Sequence, residues 1–428
     1  MQDLMQNGTS ESVFDDATQV PIMPQTIAET GLDSGFLADL TLKLVSFDTN
    51  CDTKRMSEKI MLPMGIVENV LQHLYREKLV QILGRTGVQG HRYSMLDKGW
   101  ERVQRLFNVS AYVGPAPVTL DDYSAGIRWM HKNTKTANPS DVAQAYSNLV
   151  LSEHELQTLG IIVDSRRSLF LTGPPGCGKT TAAVALHRAM MGEIWVPYSI
   201  VVDNQVIRVF DSSVHYKVDP PDVRFDKRWI RTKRPLVIVG GELTLESMDL
   251  IFAGNVSYYE APFQLKANCG VLVIDDFGRQ RMDPNDLLNR WIIPLENHVD
   301  FLTLHTGKKI QVPFEQLLVF ATNLNPEDLV DEAFLRRMGY RLAFTAPSAQ
   351  TYALILQQYF SLRGLRYDPQ FLFLLLRRYE KEGRAMKACD PRDLIERCLD
   401  ICKYEKLPRE ITRDILNRAW ENYFGVAG

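Results

Sequence analysis

The stretch Phe170-Leu-Thr-Gly-Pro-Pro-Gly-Cys-Gly-Lys-Thr-Thr181 carries the pattern Gly-x4-Gly-Lys-Thr. A short apolar run, Ser168-Leu-Phe-Leu171, leads into it, and an apolar helical pattern begins at Ala182. Strand, loop and helix in that order are what a phosphate-binding loop requires. Glycines let the backbone curl so that successive N–H groups face inward, and the helix N-terminus favours an anion. Lys179 has the reach for β- and γ-phosphates, and the Thr180 hydroxyl has the chemistry to ligate Mg²⁺. Gly173, Pro174, Pro175, Gly176, Cys177, Gly178, Lys179, Thr180 and Thr181 are therefore the candidate nucleotide-binding residues.

At 428 residues the chain is too long for one core and predicts two or three domains. A hydrophobic fraction of 45% and a charged fraction of 24% are those of a globular protein. A net charge of −3 gives no global argument for nucleic acid or membrane, so any such surface has to be local. The N-terminus lacks a basic-then-apolar signal, and no apolar run approaches the roughly 18 residues of a membrane span. Six scattered cysteines form no Cys-x-x-Cys; Cys398 and Cys402 suit one buried helical face. Together these features predict a soluble, reduced, cytoplasmic protein.

Residues 1–30 are polar and without periodicity, as in a mobile tail. From 31 to 110 the pattern reads helix, helix, helix, hairpin, helix. A helix begins at Pro63, two extended pieces (Leu79–Leu83 and His91–Met95) come next, and Asp97 to about Phe107 closes the unit. This order resembles a winged helix-turn-helix domain. Residues 111–150 read as a linker with a helix around Tyr123 to His131, broken at Asn138-Pro139. From 151 to 346, strands alternate with helices, which predicts an α/β core on a parallel sheet. From 347 to 428 the pattern is helical throughout.

Within the α/β core, Gly270-Val-Leu-Val-Ile-Asp-Asp-Phe-Gly278 is an apolar strand ending in two carboxylates. Such a strand places Asp275 beside the phosphate loop, where it can hold the Mg²⁺ shell, and leaves Asp276 to polarise a water. Leu317-Leu-Val-Phe-Ala-Thr-Asn323 is a second apolar strand, ending in a side chain suited to orienting that water. The segment Asp331-Glu-Ala-Phe-Leu-Arg-Arg-Met338 comes after it. Asp390-Pro-Arg-Asp-Leu394 then opens a helix with Asp390 as N-cap and Arg392 in its first turn.

The order of phosphate loop, paired acids, strand ending in Asn, Arg-Arg segment and Pro-Arg helix resembles the AAA+ ATPase superfamily over roughly residues 150–428. The resemblance implies a phosphate-loop NTPase core with an α-helical lid. Gly173 to Thr181 match Walker A, Asp275 and Asp276 match Walker B, Asn323 matches sensor 1 and Arg392 matches sensor 2. Arg336 and Arg337 match the arginine-finger region, which in the family reaches the neighbouring subunit's nucleotide. Implied with it are ATP and Mg²⁺ as cofactors and a ring, taken as hexameric. One departure is Asp276, where many members carry Glu. The carboxylate is shortened by about 1.5 Å, which implies slow hydrolysis or a nucleotide switch.

The interval between Lys179 and Asp275 leaves room for an insertion. Ile194–Val202 and Gln205–Asp211 read as strands around an Asp203-Asn204 turn, and Phe301–Val312 reads as a hairpin turning at Thr306-Gly307. A hairpin before the Asn323 strand resembles the pre-sensor-1 clade, and the broad likeness is to MoxR-like, chaperone-type ATPases. The expected function is ATP-driven remodelling of protein complexes, with the front domain as adaptor to a protein client. A DNA-associated ATPase is the alternative. Two further segments admit two readings each. Arg224–Arg234 around Trp229 suits a solvated or inter-subunit face, or contact with nucleic acid. Tyr258 and Tyr259 suit core packing or a pore lining. If the front domain reads DNA, Glu68, Asn69, Gln72 and Arg76 face the groove, yet its acids and bases nearly cancel, which argues for protein docking.

Overall fold

A computed structural model describes residues 13–48, 51–86, 90–253, 257–325, 329 and 332–425. Its centre is a sheet of five parallel strands: Leu169–Thr172, Leu236–Val239, Val271–Ile274, Leu317–Thr322 and Tyr340–Ala343. Their spatial order is second, third, fourth, first, fifth. The three inner strands are apolar runs because both faces are covered, whereas Ile238 and Arg341 of the two outer strands are exposed. Leu169, Leu171, Val271, Val273, Val319 and Ala321 pack on one side with the helices Glu153–Ser165 and Lys179–Ala189. Phe170, Leu272, Ile274, Leu318 and Phe320 pack on the other with Trp291 of the helix Pro284–Asn297. The fold class expected from the sequence is the one found.

The phosphate-loop strand emerges between the Leu317–Thr322 and Tyr340–Ala343 strands, so its C-terminal end lies in the middle of one edge. The helix Glu153–Ser165, not foreseen in the sequence, starts at a capping box of Ser152 and Glu155 and leads into that strand. The helix Leu120–Lys132 ends before Asn138-Pro139, as expected, and Pro139 opens a new short helix, Pro139–Ala145, where its missing N–H costs nothing.

The insertion builds a second sheet, ordered Ile251–Ala253, Tyr258–Glu260, Gln205–Arg208, Ser199–Val202, Val118–Thr119. The Asp203-Asn204 turn is as expected, both residues adopting positive φ (49° and 62°), as a two-residue hairpin demands. The Val299–Thr303 and Lys309–Pro313 strands form the second expected hairpin.

Residues 34–109 form four helices (Ser34–Ser46, Thr53–Ile60, Met64–Arg76, Asp97–Val109) around three antiparallel strands (Cys51–Asp52, Gly90–Met95, Val80–Thr86). Their core continues into the second sheet through Val201, Val206 and Tyr258, and Tyr112 Oη lies 2.9 Å from Ser199 Oγ. The front unit is therefore seated on the insertion. Residues 111–150, expected as a linker, are part of that packing: Val118–Thr119 is an edge strand and the helix Leu120–Lys132 is half buried.

The mobile tail expected over residues 1–30 does not extend that far. From Val13 the chain is packed, with Phe14 fully buried, stacked on Trp129 at 4.6 Å and set edge-on to Trp229. An aromatic ring in a polar stretch was the signal. The first twelve residues of that tail lie outside the described residues.

The basic cluster Arg224–Arg234 is a solvated face only in part: Arg224, Lys227 and Lys233 are exposed, while Arg228 and Arg234 are buried. Arg228 pairs with Asp226 at 2.8 Å with both side chains buried, and it donates to the carbonyls of Thr30 and Pro117. Arg234 donates to Met191 O and Cys269 O, and Trp229 is buried. These cations hold loops by satisfying buried carbonyls, which removes them from any nucleic-acid surface. Tyr259 is likewise core, its hydroxyl accepting from His305 N at 2.8 Å.

Four C-terminal helices, Ala349–Leu362, Pro369–Glu382, Asp390–Tyr404 and Arg413–Phe424, enclose their own core of Tyr352, Tyr379, Cys398, Cys402 and Trp420. Among the described residues no helix is long and apolar enough to cross a membrane.

Candidate functional site

The loop Gly173–Gly178 joins the strand Leu169–Thr172 to the helix Lys179–Ala189. Gly173, Gly176 and Gly178 all have positive φ (141°, 81° and 91°). Gly173 is the most constrained: a Cβ there would sit 2.2 Å from Phe344 O. The loop's curl thus depends on residues without side chains.

Lys179 lies in the first helical turn and is largely buried, with Nζ donating to Gly173 O (2.8 Å) and Pro174 O (3.0 Å). Burial pulls its ammonium below the ordinary lysine value, while the Cys177 thiol, Asp276 and Asp275 pull the other way. The ammonium is therefore parked on loop carbonyls in a dry place, close to two carboxylates. Thr180 Oγ1 donates to Asp275 Oδ2 at 2.9 Å, which joins the loop to the end of the Val271–Ile274 strand.

Asp276 comes next with φ 48°, and its N–H donates to Asp275 Oδ1 at 3.0 Å. That left-handed turn separates the two carboxylates: Asp275 is half buried against Thr180 and Asp276 is exposed. Asn323 stands one residue beyond Thr322, which is in register with Thr172 just before the loop. Its Oδ1 is buried and has no hydrogen-bond partner among the described residues, a cost unless something else fills the position. Loop, acid pair and Asn323 thus meet at one edge of the sheet.

The arginines lie elsewhere. The described part of the Arg-Arg segment is the helix Glu332–Leu335 with Arg336, Arg337 and Met338 after it; Asp331 lies outside the described residues. Arg336 pairs with Glu332 at 2.8 Å on the surface, and Arg337 pairs with Glu296. Both precede the strand Tyr340–Ala343, at the opposite edge of the sheet from the loop. Arg392 is 60% exposed in its side chain and pairs with its neighbour Asp393 at 2.9 Å.

What the C-terminal helices press onto the loop is a different segment. Cys389 N donates to Gly176 O at 3.0 Å, and a Cβ on Gly176 would meet Cys389 Sγ at 2.6 Å and Lys387 at 3.5 Å. Asp390 is not the N-cap; Cys389 is. Asp390 is fully buried and accepts from Lys387 N (2.9 Å), Tyr379 Oη (2.7 Å) and Tyr423 Oη (2.9 Å). It fixes the 387–389 turn against the loop.

Gln280 was also missed from the sequence. Its Nε2 donates to Asp275 O (3.0 Å) and Asp276 O (3.2 Å), and its Oε1 accepts from Gly278 N (2.8 Å). It clamps the turn that carries both acids, and no spacing rule marks it. Leu149 is a third addition, with Cδ2 3.5 Å from where a Gly178 Cβ would be. It lines a cavity of about 760 Å³ between residues 148–151 and the Ala349–Leu362 helix.

The donor set suits Mg²⁺, a hard cation that takes a hydroxyl and one carboxylate and completes its shell from water and phosphate. Thr180 Oγ1 and Asp275 Oδ2, already converged, are that pair. Among the described residues no group of three or more His, Cys, Asp or Glu is arranged to hold a metal.

A family model described as "Domain of unknown function (DUF8689)" matches residues 348–422, the C-terminal helices alone. No curated protein matches the sequence. Among solved structures, NtrX from Brucella abortus in complex with ADP is similar at 16% identity and TM-score 0.40, over 64% of this chain and 56% of that one. The chain thus spans little more than half of NtrX. The RuvB Holliday junction branch migration motor of Thermotoga maritima is similar at 15% identity and TM-score 0.37, over 64% and 70%. A point mutant of the same RuvB gives TM-score 0.36 over 72% and 73%. Likenesses this loose add nothing to the strand order and loop geometry, which by themselves define an α/β fold with a parallel sheet and a phosphate loop.

Proposed function

We propose that this chain is an AAA+-type ATPase that binds ATP with Mg²⁺ at the Lys179 loop and hydrolyses it in an assembly of copies. The observation that carries the reading is the 2.9 Å hydrogen bond between Thr180 Oγ1 and Asp275 Oδ2, with Lys179 Nζ held on two loop carbonyls. A hydroxyl, a carboxylate and a desolvated ammonium converge where no structural need explains all three.

Bound there, Mg²⁺ would offset charge on the phosphate oxygens, held by Thr180 and Asp275. Loop N–H groups bind the phosphates, and Lys179 turns from the carbonyls to them. Asp276, exposed beyond the left-handed turn, takes the proton of the attacking water, and the free Asn323 Oδ1 orients that water. The base lies in the cavity beside Leu149, whose size suits it. Lys387, Cys389 and Arg392 carry closure of the C-terminal helices onto the phosphates.

Arg336 and Arg337, across the sheet from this chain's own loop, serve a neighbouring copy's nucleotide in a ring, taken as hexameric. The work done is remodelling of a protein client, in the manner of MoxR-like chaperone-type ATPases. The front unit has the element order of a winged helix-turn-helix and exposes Tyr75, Leu83 and Trp100, apolar groups that suit protein contact. DNA contact has less support, because Glu68 is not free to face a groove: it accepts from Thr53 Oγ1 and Tyr93 Oη and pairs with His91.

Mixing two inactive variants tests the assembly reading. Lys179→Ala cannot bind ATP and Arg337→Ala binds it without turnover. A mixture restores phosphate release, because intact loops then meet intact arginines. A mixture no faster than its parts overturns the role in trans.

A further inference from the structure

The opposite edge of the central sheet holds a second set of polar groups. Ser168, Gln316 and Gly339 each lie directly before one of three adjacent parallel strands. Between them opens a cavity of about 550 Å³, which Arg166, Arg167, Arg336, Arg337 and His298 also line. No Asp or Glu is among its described lining residues. Around it, Glu296 pairs with Arg337, Glu332 with Arg336, and Glu315 with His131 and His298, while Asp164 acts on Arg166 from outside the lining.

Two details mark this as a built site. Gln316 is 6% exposed, and neither its Oε1 nor its Nε2 has a hydrogen-bond partner among the described residues. An unused buried amide is costly, and it lines the cavity. Arg167 makes no ion pair among the described residues, and its stem passes so close to Gly339 that a Cβ there would meet Arg167 Cβ at 2.4 Å. Glycine at 339 leaves room for the backbone-proximal stem of residue 167, whose side chain is otherwise exposed.

We infer that this cavity is a second phosphate-binding site, taking the oxyanion of a polyphosphate or phosphate ester on Arg167, Arg337, His298 and the Gln316 amide. Arginine forks match phosphate oxygens, and a neutral amide donor adds a hydrogen bond without further charge repulsion. The chain's own nucleotide cannot supply the phosphate. The strand Leu169–Thr172 separates the two edges by about 13 Å, at roughly 3.3 Å per residue. The anion comes either from a neighbouring copy's nucleotide or from solution. The inference extends the proposed role of Arg336 and Arg337 but does not need an assembly to be true.

Calorimetric titration of the full chain with inorganic pyrophosphate tests it. Wild type binds at two sites and Lys179→Ala at one. Adding Arg167→Glu to Lys179→Ala weakens the remaining site at least tenfold, and adding Gln316→Leu weakens it several-fold. In an otherwise wild-type chain both substitutions leave ATP binding at the loop intact, which reports folding. No pyrophosphate binding by Lys179→Ala, or binding indifferent to both substitutions, overturns the site. Repeating the titration on chains assembled with nucleotide separates the sources. Pyrophosphate excluded by assembly assigns the natural ligand to a neighbouring copy, and pyrophosphate still bound assigns it to solution. Failure of the mixing experiment leaves this result untouched.

Discussion

The two edges of the central sheet differ in how far their polar groups are satisfied. At the phosphate-loop edge, Lys179 Nζ rests on loop carbonyls, Thr180 on Asp275 and Gln280 on the acid turn, so most of the site is already shaped, and Asn323 Oδ1 is its buried atom without a partner among the described residues. At the other edge Gln316 has no partner and Arg167 no counter-ion among the described residues. Pre-organisation and unspent hydrogen-bonding capacity are two ways to prepare for an anion. The first keeps the chain stable without ligand, and the second leaves a local cost that a ligand relieves.

Breaking the shaped edge has the largest expected effect. Gly173→Ala sets a Cβ against Phe344 O at a φ of 141°, and urea unfolding should show a loss of about 3 kcal/mol. A variant as stable as wild type would mean the loop is not held in this form. Gln280→Ala should be milder, because it frees the acid turn without removing an acid. Turnover falls about tenfold, about 1.4 kcal/mol, while ATP affinity stays within about twofold. A fall in affinity alone would place Gln280 in binding rather than in positioning Asp276. The smallest effect sharpens the contrast from the other side. Gln316→Leu removes an unsatisfied amide and should raise stability by about 1 kcal/mol in the absence of anions. A loss of that size would show that Gln316 is already satisfied.

How much of this was legible in the sequence depends on the range of each interaction. The loop, the acid strand, the Asn323 strand and the four C-terminal helices are written in contiguous residues, in local periodicity and turn chemistry. Three of the sheet's five strands were legible for the same reason, as buried apolar runs, whereas Leu236–Val239 and Tyr340–Ala343, partly exposed, were not. Gln280, Cys389 and Asp390 were not assigned correctly because their roles depend on what folds next to them. Cys389 meets Gly176 from 213 positions away in the chain, counting 389 minus 176. The basic cluster Arg224–Arg234 misled for a related reason. Charge in a sequence reads as surface, and only the fold shows Arg228 and Arg234 bonded to buried carbonyls. Phe14 and Trp129 lie over a hundred residues apart, so only the lone aromatic ring hinted that part of the segment 13–30 is anchored in the core.

Phosphate release from ATP by the full chain, measured with and without Mg²⁺ beside Lys179→Ala, tests the central claim most directly. The account predicts slow, sustained release that requires Mg²⁺ and is absent in Lys179→Ala. Release from wild type no greater than from Lys179→Ala, under conditions where wild type holds ATP, would contradict it.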